Sequence, residues 1–175
     1  MMSRNTEPDS VTQAYSAILS NLLGLKITMA THAASMRGFI FGPSTSAPDA
    51  GQWVMHIQCA WRIETGSAIL TGSGDWYEPA DLEAQMADDW DPAEGASLQE
   101  TRLREIFHDH DLSKRTIWNN TASLICTEYQ LEVHGGVTIE LSGDYVLRLF
   151  PSGSRGEHWR IFQKGDTNTH VICEA

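Results

Sequence analysis

Lysine and arginine are missing from the middle of this chain, where neither occurs between Arg62 and Arg102. Ten acids fall in that interval, while the rest of the chain has 13 acids against 12 bases. The net charge of −11 therefore belongs to one region rather than to the whole surface. Such a region repels nucleic acid and anionic membranes and attracts cationic partners. We therefore expect a basic protein as the partner, with no nucleic acid and no membrane.

Long apolar runs and paired cysteines are also absent. No apolar run approaches the ~20 residues that a membrane helix needs, and the polar N-terminus has no apolar core of the kind that signal peptides carry. Cys59, Cys126 and Cys173 lie far apart, each in an apolar stretch, and lack the close spacing of a metal or redox site. The sequence thus predicts a cytoplasmic protein with reduced thiols, no cofactor and no bound metal.

The common catalytic signatures are missing as well. The chain contains no P-loop, no dinucleotide-binding glycine motif, no Gly-x-Ser-x-Gly elbow and no His-Glu-x-x-His helix. Their absence excludes these common nucleotide-binding, hydrolase and zinc-protease sites, and it favours a protein that is not an enzyme. The cluster at residues 107–111 includes His108 and His110, which on a strand would share a face and suit a divalent metal. Because the cluster follows a predicted helix, we interpret it as the frayed end of that helix.

Two helices are predicted. Apolar residues at helical spacing place the first helix at residues 10–23, and Gly24 is positioned to end it. The second helix is predicted at residues 98–109, because Ser97 and Glu100 match a capping box. The apolar stripe of the first helix, which we expect to dock on a sheet, consists of Val11, Tyr15, Ile18 and Leu22.

Alternating apolar residues predict the strands. Residues 25–41 indicate one or two strands, and residues 53–64 indicate a single long one. From residue 117 onward, turn signals recur every ~8–12 residues, which predicts an antiparallel meander over residues 117–175. The whole chain, residues 1–175, is predicted to be one α+β domain. Its antiparallel β-meander would form a sandwich or roll, with an N-terminal helix and a central acidic helical insertion at about residues 72–111.

Three fragments of the sequence carry a resemblance. They are residues 56–63 (His-Ile-Gln-Cys-Ala-Trp-Arg-Ile), 147–151 (Leu-Arg-Leu-Phe-Pro) and 157–160 (Glu-His-Trp-Arg). Together they resemble a family of small, uncharacterised bacterial cytoplasmic proteins, which resemble immunity-type partners of secreted toxins. Where that pattern has proline, this chain has Ala60. The resemblance implies a packed β-rich fold and a bacterial setting, and it transfers no functional residue.

The acidic segment, defined here as residues 72–96, is the candidate partner-binding surface. Trp76 and Trp90 lie within it, and an aromatic side chain ringed by carboxylates suits a cationic partner. We favour the other interpretation, in which these tryptophans pin the charged segment to the body, because an ordered acidic loop needs an apolar attachment. The candidate partner-binding residues are Asp75, Glu78, Asp81, Asp88, Asp89, Trp90 and Asp91.

Two alternatives to a non-catalytic binding module stay open at this point. His56, Gln58 and Arg62 lie on the more polar side of the strand predicted at residues 53–64, and they could line a small-molecule or enzymatic pocket in which a histidine acts as general base. A solvated sheet face has the same composition and is the interpretation that we favour. The second alternative is a homodimer formed by edge-to-edge pairing of the strands.

Overall fold

The structure is a computed structural model that describes residues 10–44, 51–81, 90–92 and 96–174. Within these residues the fold is α+β, with two α-helices, one 3-10 helix and 11 antiparallel strands in two sheets. The helices are α1 (Ser10–Ser20), the 3-10 helix (Ser73–Tyr77) and α2 (Leu98–Phe107). The strands are β1 (Ile27–Ala33), β2 (Met36–Phe41), β3 (Trp53–Ile57), β4 (Ala60–Glu64), β5 (Ile69–Gly72), β6 (Ile117–Trp118), β7 (Cys126–Leu131), β8 (Val137–Leu141), β9 (Tyr145–Phe150), β10 (Glu157–Gln163) and β11 (His170–Glu174).

The two sheets form a sandwich around one core. The first sheet has six strands in the order β11-β10-β3-β2-β1-β6, and the second has five in the order β5-β4-β9-β8-β7. Phe39 on β2 meets Trp61 on β4 edge to face, with ring centroids 5.4 Å apart. This contact joins the inner faces of the two sheets, and buried aliphatic residues from both sheets surround it. The predicted fold class is therefore confirmed.

Both predicted helices are present. Helix α1 is followed by turns to Gly24, which has a φ of 78° and donates its N–H to the carbonyl of Cys126 at 2.8 Å. Helix α2 begins after Ser97, whose side chain accepts a hydrogen bond from the N–H of Glu100, so the predicted cap is confirmed. The apolar stripe of α1 is shorter than predicted, because Val11 is 51% exposed. No helix in the described part of the chain is long and apolar enough to cross a membrane.

The prediction of one strand over residues 53–64 is wrong. The chain forms β3 and β4, which belong to different sheets. At the break, the N–H groups of Gln58 and Cys59 both donate to the carbonyl of His158, at 2.9 and 3.0 Å. The alternation of apolar residues continues through the break because Ile57 and Trp61 both point into the shared core. A crossing between sheets therefore has the same sequence pattern as one long strand.

The predicted C-terminal meander is also divided between the sheets. Strands β7, β8 and β9 are consecutive neighbours in the five-stranded sheet, as a meander requires. Strands β10 and β11 join the six-stranded sheet instead, where β10 pairs with β3. Strand β6 adds two residues at the far edge of that sheet, beside β1. The turn signals located the strands correctly but carried no information on which sheet each strand joins.

Candidate functional site

The acidic segment is tied to the body at one place, by two short stretches of chain that we call the neck (residues 78–80 and 96–98). The N–H of Leu98 donates to the carbonyl of Glu78 at 2.7 Å, and the N–H of Ala80 donates to the carbonyl of Ala96 at 3.0 Å. An antiparallel bridge lies between these two bonds. The two stretches of the neck therefore lie side by side, next to the N-terminus of α2.

A buried polar cluster lies beneath the neck. The side chain of Gln99 donates to the carbonyl of Gly72 at 2.8 Å and accepts from the guanidinium of Arg37, with Nε at 3.0 Å and Nη2 also bonded. Arg37 is only 1% exposed, and its guanidinium lies 5.9 Å from the ring centroid of Trp76. Burial lowers the pKa of Arg37 to about 10, and Glu100 acts in the opposite direction. Trp76 and Gln99, which lie close to the two stretches of the neck in the sequence, are therefore both held by contacts with the buried Arg37.

The candidate acids differ in their surroundings. Asp75 is half-buried, and its carboxylate accepts a hydrogen bond from the hydroxyl of Thr71 at 3.0 Å. Because it serves the packing of the 3-10 helix on β5, Asp75 is the least suited of the candidates to a partner. Glu78, Asp81 and Asp91 are exposed. Glu78 lies in the neck, Asp81 follows its first stretch directly, and Asp91 comes five residues before its second stretch.

The tryptophans of the acidic segment are not equivalent. Trp76 is 4% exposed and packs on His32, with ring centroids 5.0 Å apart. Its burial supports the interpretation that this tryptophan pins the segment to the body. Trp90 is half-buried. Asp88 and Asp89 lie outside the described residues, as does most of the short helix that the spacing of Leu82, Met86 and Trp90 suggests.

The structure separates His56 and Arg62, the residues of the alternative pocket. His56 lies on β3 in the six-stranded sheet, and Arg62 lies on β4 in the five-stranded sheet. On each strand their immediate neighbours, Ile57 and Trp61, belong to the core, so the alternation of side chains turns His56 and Arg62 away from it. The two residues consequently face outward on opposite sides of the sandwich. Gln58 is exposed at the crossing between them.

The surroundings of His56 are a packed sheet face. Its ring contacts Phe162 edge to face at 5.1 Å, and Arg160 is its partner on the neighbouring strand. Burial lowers the pKa of His56, the charge of Arg160 adds to that effect and Glu157 opposes it. The adjacent cross-strand row is apolar across five strands and consists of Trp118, Met29, Ile40, Val54 and Phe162. His56 thus lies between this apolar row and the charged side chain of Arg160.

Arg62 belongs to a separate ionic cluster. It pairs with Glu64, which also pairs with Arg148, and its guanidinium lies 5.0 Å from the ring of Phe150. Burial acts to raise the pKa of Glu64, but the hydrogen bonds from Arg148 and Arg62 outweigh it and lower the pKa. These contacts join β4 to β9 and provide a structural explanation for all four residues.

The His/Asp cluster after α2 is used for packing. Asp109 is 5% exposed and accepts hydrogen bonds from the N–H groups of Trp118 at 2.8 Å and Asp111 at 3.0 Å. His108 adopts the left-handed conformation that ends α2, with a φ of 52°, and both His108 and His110 are exposed. Among the described residues, no group of three or more His, Cys, Asp or Glu side chains is arranged to hold a metal ion.

Sequence reasoning missed a cleft of about 300 Å³ next to the neck. It opens between the end of β1, helix α2 and the loop at residues 112–115, and its lining includes His32, Pro92, Lys114 and Arg115. The signal available in the sequence was the hairpin of β1 and β2, which places His32 directly opposite Arg37. The contribution of α2 and of the loop depends on tertiary packing that no local pattern encodes.

Comparison with known proteins identifies no relative. No family model matches the chain, and no curated protein or solved structure is significantly similar to it. Function must therefore be argued from the residues themselves.

Proposed function

We propose that this protein is a non-catalytic binding module of the bacterial cytoplasm, which holds a basic protein partner on its acidic segment in the manner of an immunity protein. The observation that carries the proposal is the neck, whose backbone hydrogen bonds hold the two described stretches on either side of residues 81–95 next to each other. Those residues include six acids and no lysine or arginine. The stretch of sequence that begins and ends at the neck therefore carries most of the excess negative charge of the chain.

The physical role of this arrangement is to guide and hold a cation-rich surface. Clustered carboxylates raise the association rate of a basic partner and make affinity strongly dependent on salt. The buried cluster of Arg37, Gln99 and Trp76 keeps the base of the neck in one conformation, so less ordering entropy is lost at the base on binding. His56 and Arg62 lie in different sheets, which favours the binding module over a small-molecule site shared by these residues.

The test measures binding of basic proteins at low and high salt: any toxin domain found to be encoded beside this protein's gene, and cytochrome c as a generic basic protein. The triple substitution D88N/D89N/D91N should weaken binding of the toxin domain ~10-fold or more at low salt and reduce the salt dependence. The matched control E128Q/E132Q/E174Q removes the same charge from exposed acids outside the acidic segment and should change affinity much less.

Two results would overturn the proposal. One is an affinity that does not change with salt, because clustered charges in water are screened within a Debye length of ~8–10 Å. The other is an equal loss of affinity in the two triple variants, which would show that net charge alone, rather than the acidic segment, governs the association. Tight binding of the toxin domain with weak binding of cytochrome c is the expected outcome.

A further inference from the structure

A second cleft, of about 340 Å³, lies beside α1. Helix α1 packs on the edge strands β7 and β11, whereas α2 packs on β5 and β6, the edge strands at the opposite ends of the two sheets. The walls of this cleft, which we call the α1 cleft, are the start of α1, the turn at residues 133–135, the loop at residues 151–153 and the end of β11. The α1 cleft therefore lies across the sandwich from the neck.

His158 lines the α1 cleft and has an unpaired imidazole. The residue is 6% exposed, and a methyl group added at Gly153 would lie 3.5 Å from Cε1 of its ring. The ring has no hydrogen-bond partner among the described residues, yet neither of its nitrogens is one of the polar atoms that are sealed from solvent. Its remaining accessible surface faces the cleft. Since an unpaired polar atom in a largely buried site costs free energy, the imidazole marks a place for a hydrogen-bonding group of a ligand.

The residues beneath the α1 cleft are held in place. The ring of Tyr15 meets Trp159 edge to face with centroids 5.2 Å apart, and Nε1 of Trp159 donates to the carbonyl of Gly135 at 2.7 Å. Gly135 packs so closely on Cys173 that a methyl group at this glycine would overlap Sγ. These contacts join α1, the turn and β11, so less ordering entropy is lost at the cleft when a ligand binds.

The charge at the α1 cleft favours a cation. Glu174 is exposed at its edge and forms no ion pair with any residue that the structure describes. No lysine or arginine is among the described residues that line the cleft. Burial raises the pKa of the Tyr15 hydroxyl and of the Cys173 thiol, so both groups are neutral near pH 7. The net charge of −11 also attracts cations from a distance.

Two exposed valines lie at the rim of the α1 cleft. Val11 on α1 is 51% exposed, and Val133 in the turn is 84% exposed. Neither side chain belongs to the buried core. Covering them would remove apolar surface from water, which is worth ~25 cal/mol per Å². The rim thus suits a ligand whose body is apolar.

We propose that the α1 cleft binds a compact amphipathic amine. Its ammonium group lies against the carboxylate of Glu174 and the imidazole of His158, and its apolar body lies between Val11 and Val133. An ammonium group offers donors and no acceptor, and a neutral imidazole offers one acceptor nitrogen. The charge of the carboxylate strengthens the second bond, and the ring of Tyr15 adds an aromatic surface. The volume is at the lower limit of small-molecule sites, so the ligand is about the size of one ring with a short arm.

The test is titration of the full chain, followed by NMR near neutral pH and at constant ionic strength. The probes are benzylamine, benzyl alcohol and benzoate, which share a shape and differ in charge. Benzylamine should bind saturably with a dissociation constant on the order of 1 mM. Benzyl alcohol should bind ~10-fold more weakly, and benzoate should not saturate. The ring resonances of His158 should shift with benzylamine.

Substitutions of exposed residues locate the site without disturbing the core. Glu174→Gln should weaken benzylamine binding ~10-fold and leave benzyl alcohol unchanged. Its matched control is Glu128→Gln, because Glu128 is also an exposed acid but does not line the cleft. Val133→Ser should weaken both probes ~3-fold through the loss of apolar contact. Its control is Leu112→Ser, because Leu112 is 81% exposed and lies outside the cleft.

Three outcomes would overturn the proposal. The first is the absence of saturable shifts with benzylamine up to ~50 mM, about fifty times the expected dissociation constant. The second is benzyl alcohol or benzoate binding as tightly as benzylamine, which would show that the cleft does not select an ammonium group. The third is an equal loss of affinity in Glu174→Gln and Glu128→Gln, which would show that only the overall charge matters. None of them bears on the basic protein partner, because the residues of the α1 cleft lie outside the acidic segment.

Discussion

Arg104 and Asp109 form an ion pair in which each side chain is 6% exposed, with 3.5 Å between Nη1 and Oδ2. Arg104 also bonds to the carboxylate of Glu100 at 3.0 Å and to the carbonyl of Asp111 at 2.8 Å. Asp109 accepts the N–H of Trp118 on β6. The pair therefore joins the end of α2 to the edge of the six-stranded sheet, and Arg104 also lines the cleft beside the neck.

Replacing Arg104 with methionine should destabilise the protein by ~3–5 kcal/mol, because it leaves the carboxylate of Asp109 buried without its counter-ion. Urea unfolding followed by circular dichroism would measure this loss. The matched control is Arg102→Met on the same helix, whose partner Glu105 is exposed. That variant should lie within ~1 kcal/mol of the parent, as exposed pairs do. Equal losses in the two variants would show that the buried pair has no special role.

Gln99 and Arg37 are expected to behave as one unit. Gln99→Leu leaves the buried guanidinium with the carbonyl of Thr31 and the ring of Trp76, and should cost ~3–5 kcal/mol. The double variant Arg37→Met/Gln99→Leu removes the charge as well, and should be more stable than Gln99→Leu alone. A double-mutant cycle by urea unfolding measures the coupling energy. Additive losses would contradict the idea that the two side chains depend on each other.

Gly135 and Gly24 offer a matched pair of glycine substitutions. Both have positive φ, 80° and 78°, so alanine at either position is strained by ~1–2 kcal/mol. At Gly24 nothing lies near the added methyl group, whereas at Gly135 it would overlap Sγ of Cys173. Gly135→Ala should therefore cost a further ~1–3 kcal/mol by thermal unfolding. Most of that excess should disappear in Gly135→Ala/Cys173→Ala.

The raised pKa values of two thiols predict that the free energy of unfolding declines at alkaline pH. Burial raises the pKa of both Cys59 and Cys126 from 9.0 to about 11. Since the folded state binds these protons more tightly, the stabilisation is complete below pH 9 and is lost as pH rises toward 11. Unfolding free energy measured from pH 8 to 11 should fall less steeply in Cys59→Ala/Cys126→Ala than in the parent. Identical slopes in the parent and the double variant would show that these two thiols do not cause the decline in stability.

Native thiols should also react slowly with an aromatic disulfide reagent. The thiolate is the reactive form, and at pH 8 a thiol with a pKa near 11 is almost wholly protonated. Cys126 is 1% exposed and Cys173 is 2% exposed, so access is restricted as well. In denaturant all three thiols should react at one fast rate. Rapid reaction of a native thiol would contradict the burial described for these residues.

The sequence predicted the elements of the fold better than their arrangement. Ser97 carries a hydroxyl that caps, so it marked the start of α2 correctly. Gly24 tolerates positive φ but lies in the turns after α1, which ends at Ser20, earlier than predicted. The crossing at Gln58 and Cys59 depends on the carbonyl of His158, roughly 100 positions away, and no local pattern reports a contact at that distance. That crossing also places His56 and Arg62, the residues of the alternative pocket, in different sheets.

Only the composition of the candidate site could be predicted, because composition is read directly from the sequence and the arrangement depends on contacts between distant residues. Charge segregation is a property of the sequence itself, so the positions of lysine and arginine alone were enough to delimit the acidic segment. The neck, by contrast, depends on backbone bonds that join Leu98 to Glu78 and Ala80 to Ala96 across the fold. The cleft joins His32, Arg104 and Arg115 from three separate elements, and their proximity follows only from packing.

The order of strands has a consequence for the nascent chain. Strand β3 lies between β2 and β10, and Ile57 pairs with Trp159, roughly 100 residues later, so one side of β3 has no neighbour until most of the protein has been synthesised. An unpaired strand edge of this kind recruits other chains readily. Truncated products that stop before β10 should therefore aggregate in translation extracts. A chaperone would have to cover the open edge of β3 from its synthesis until β10 has been made.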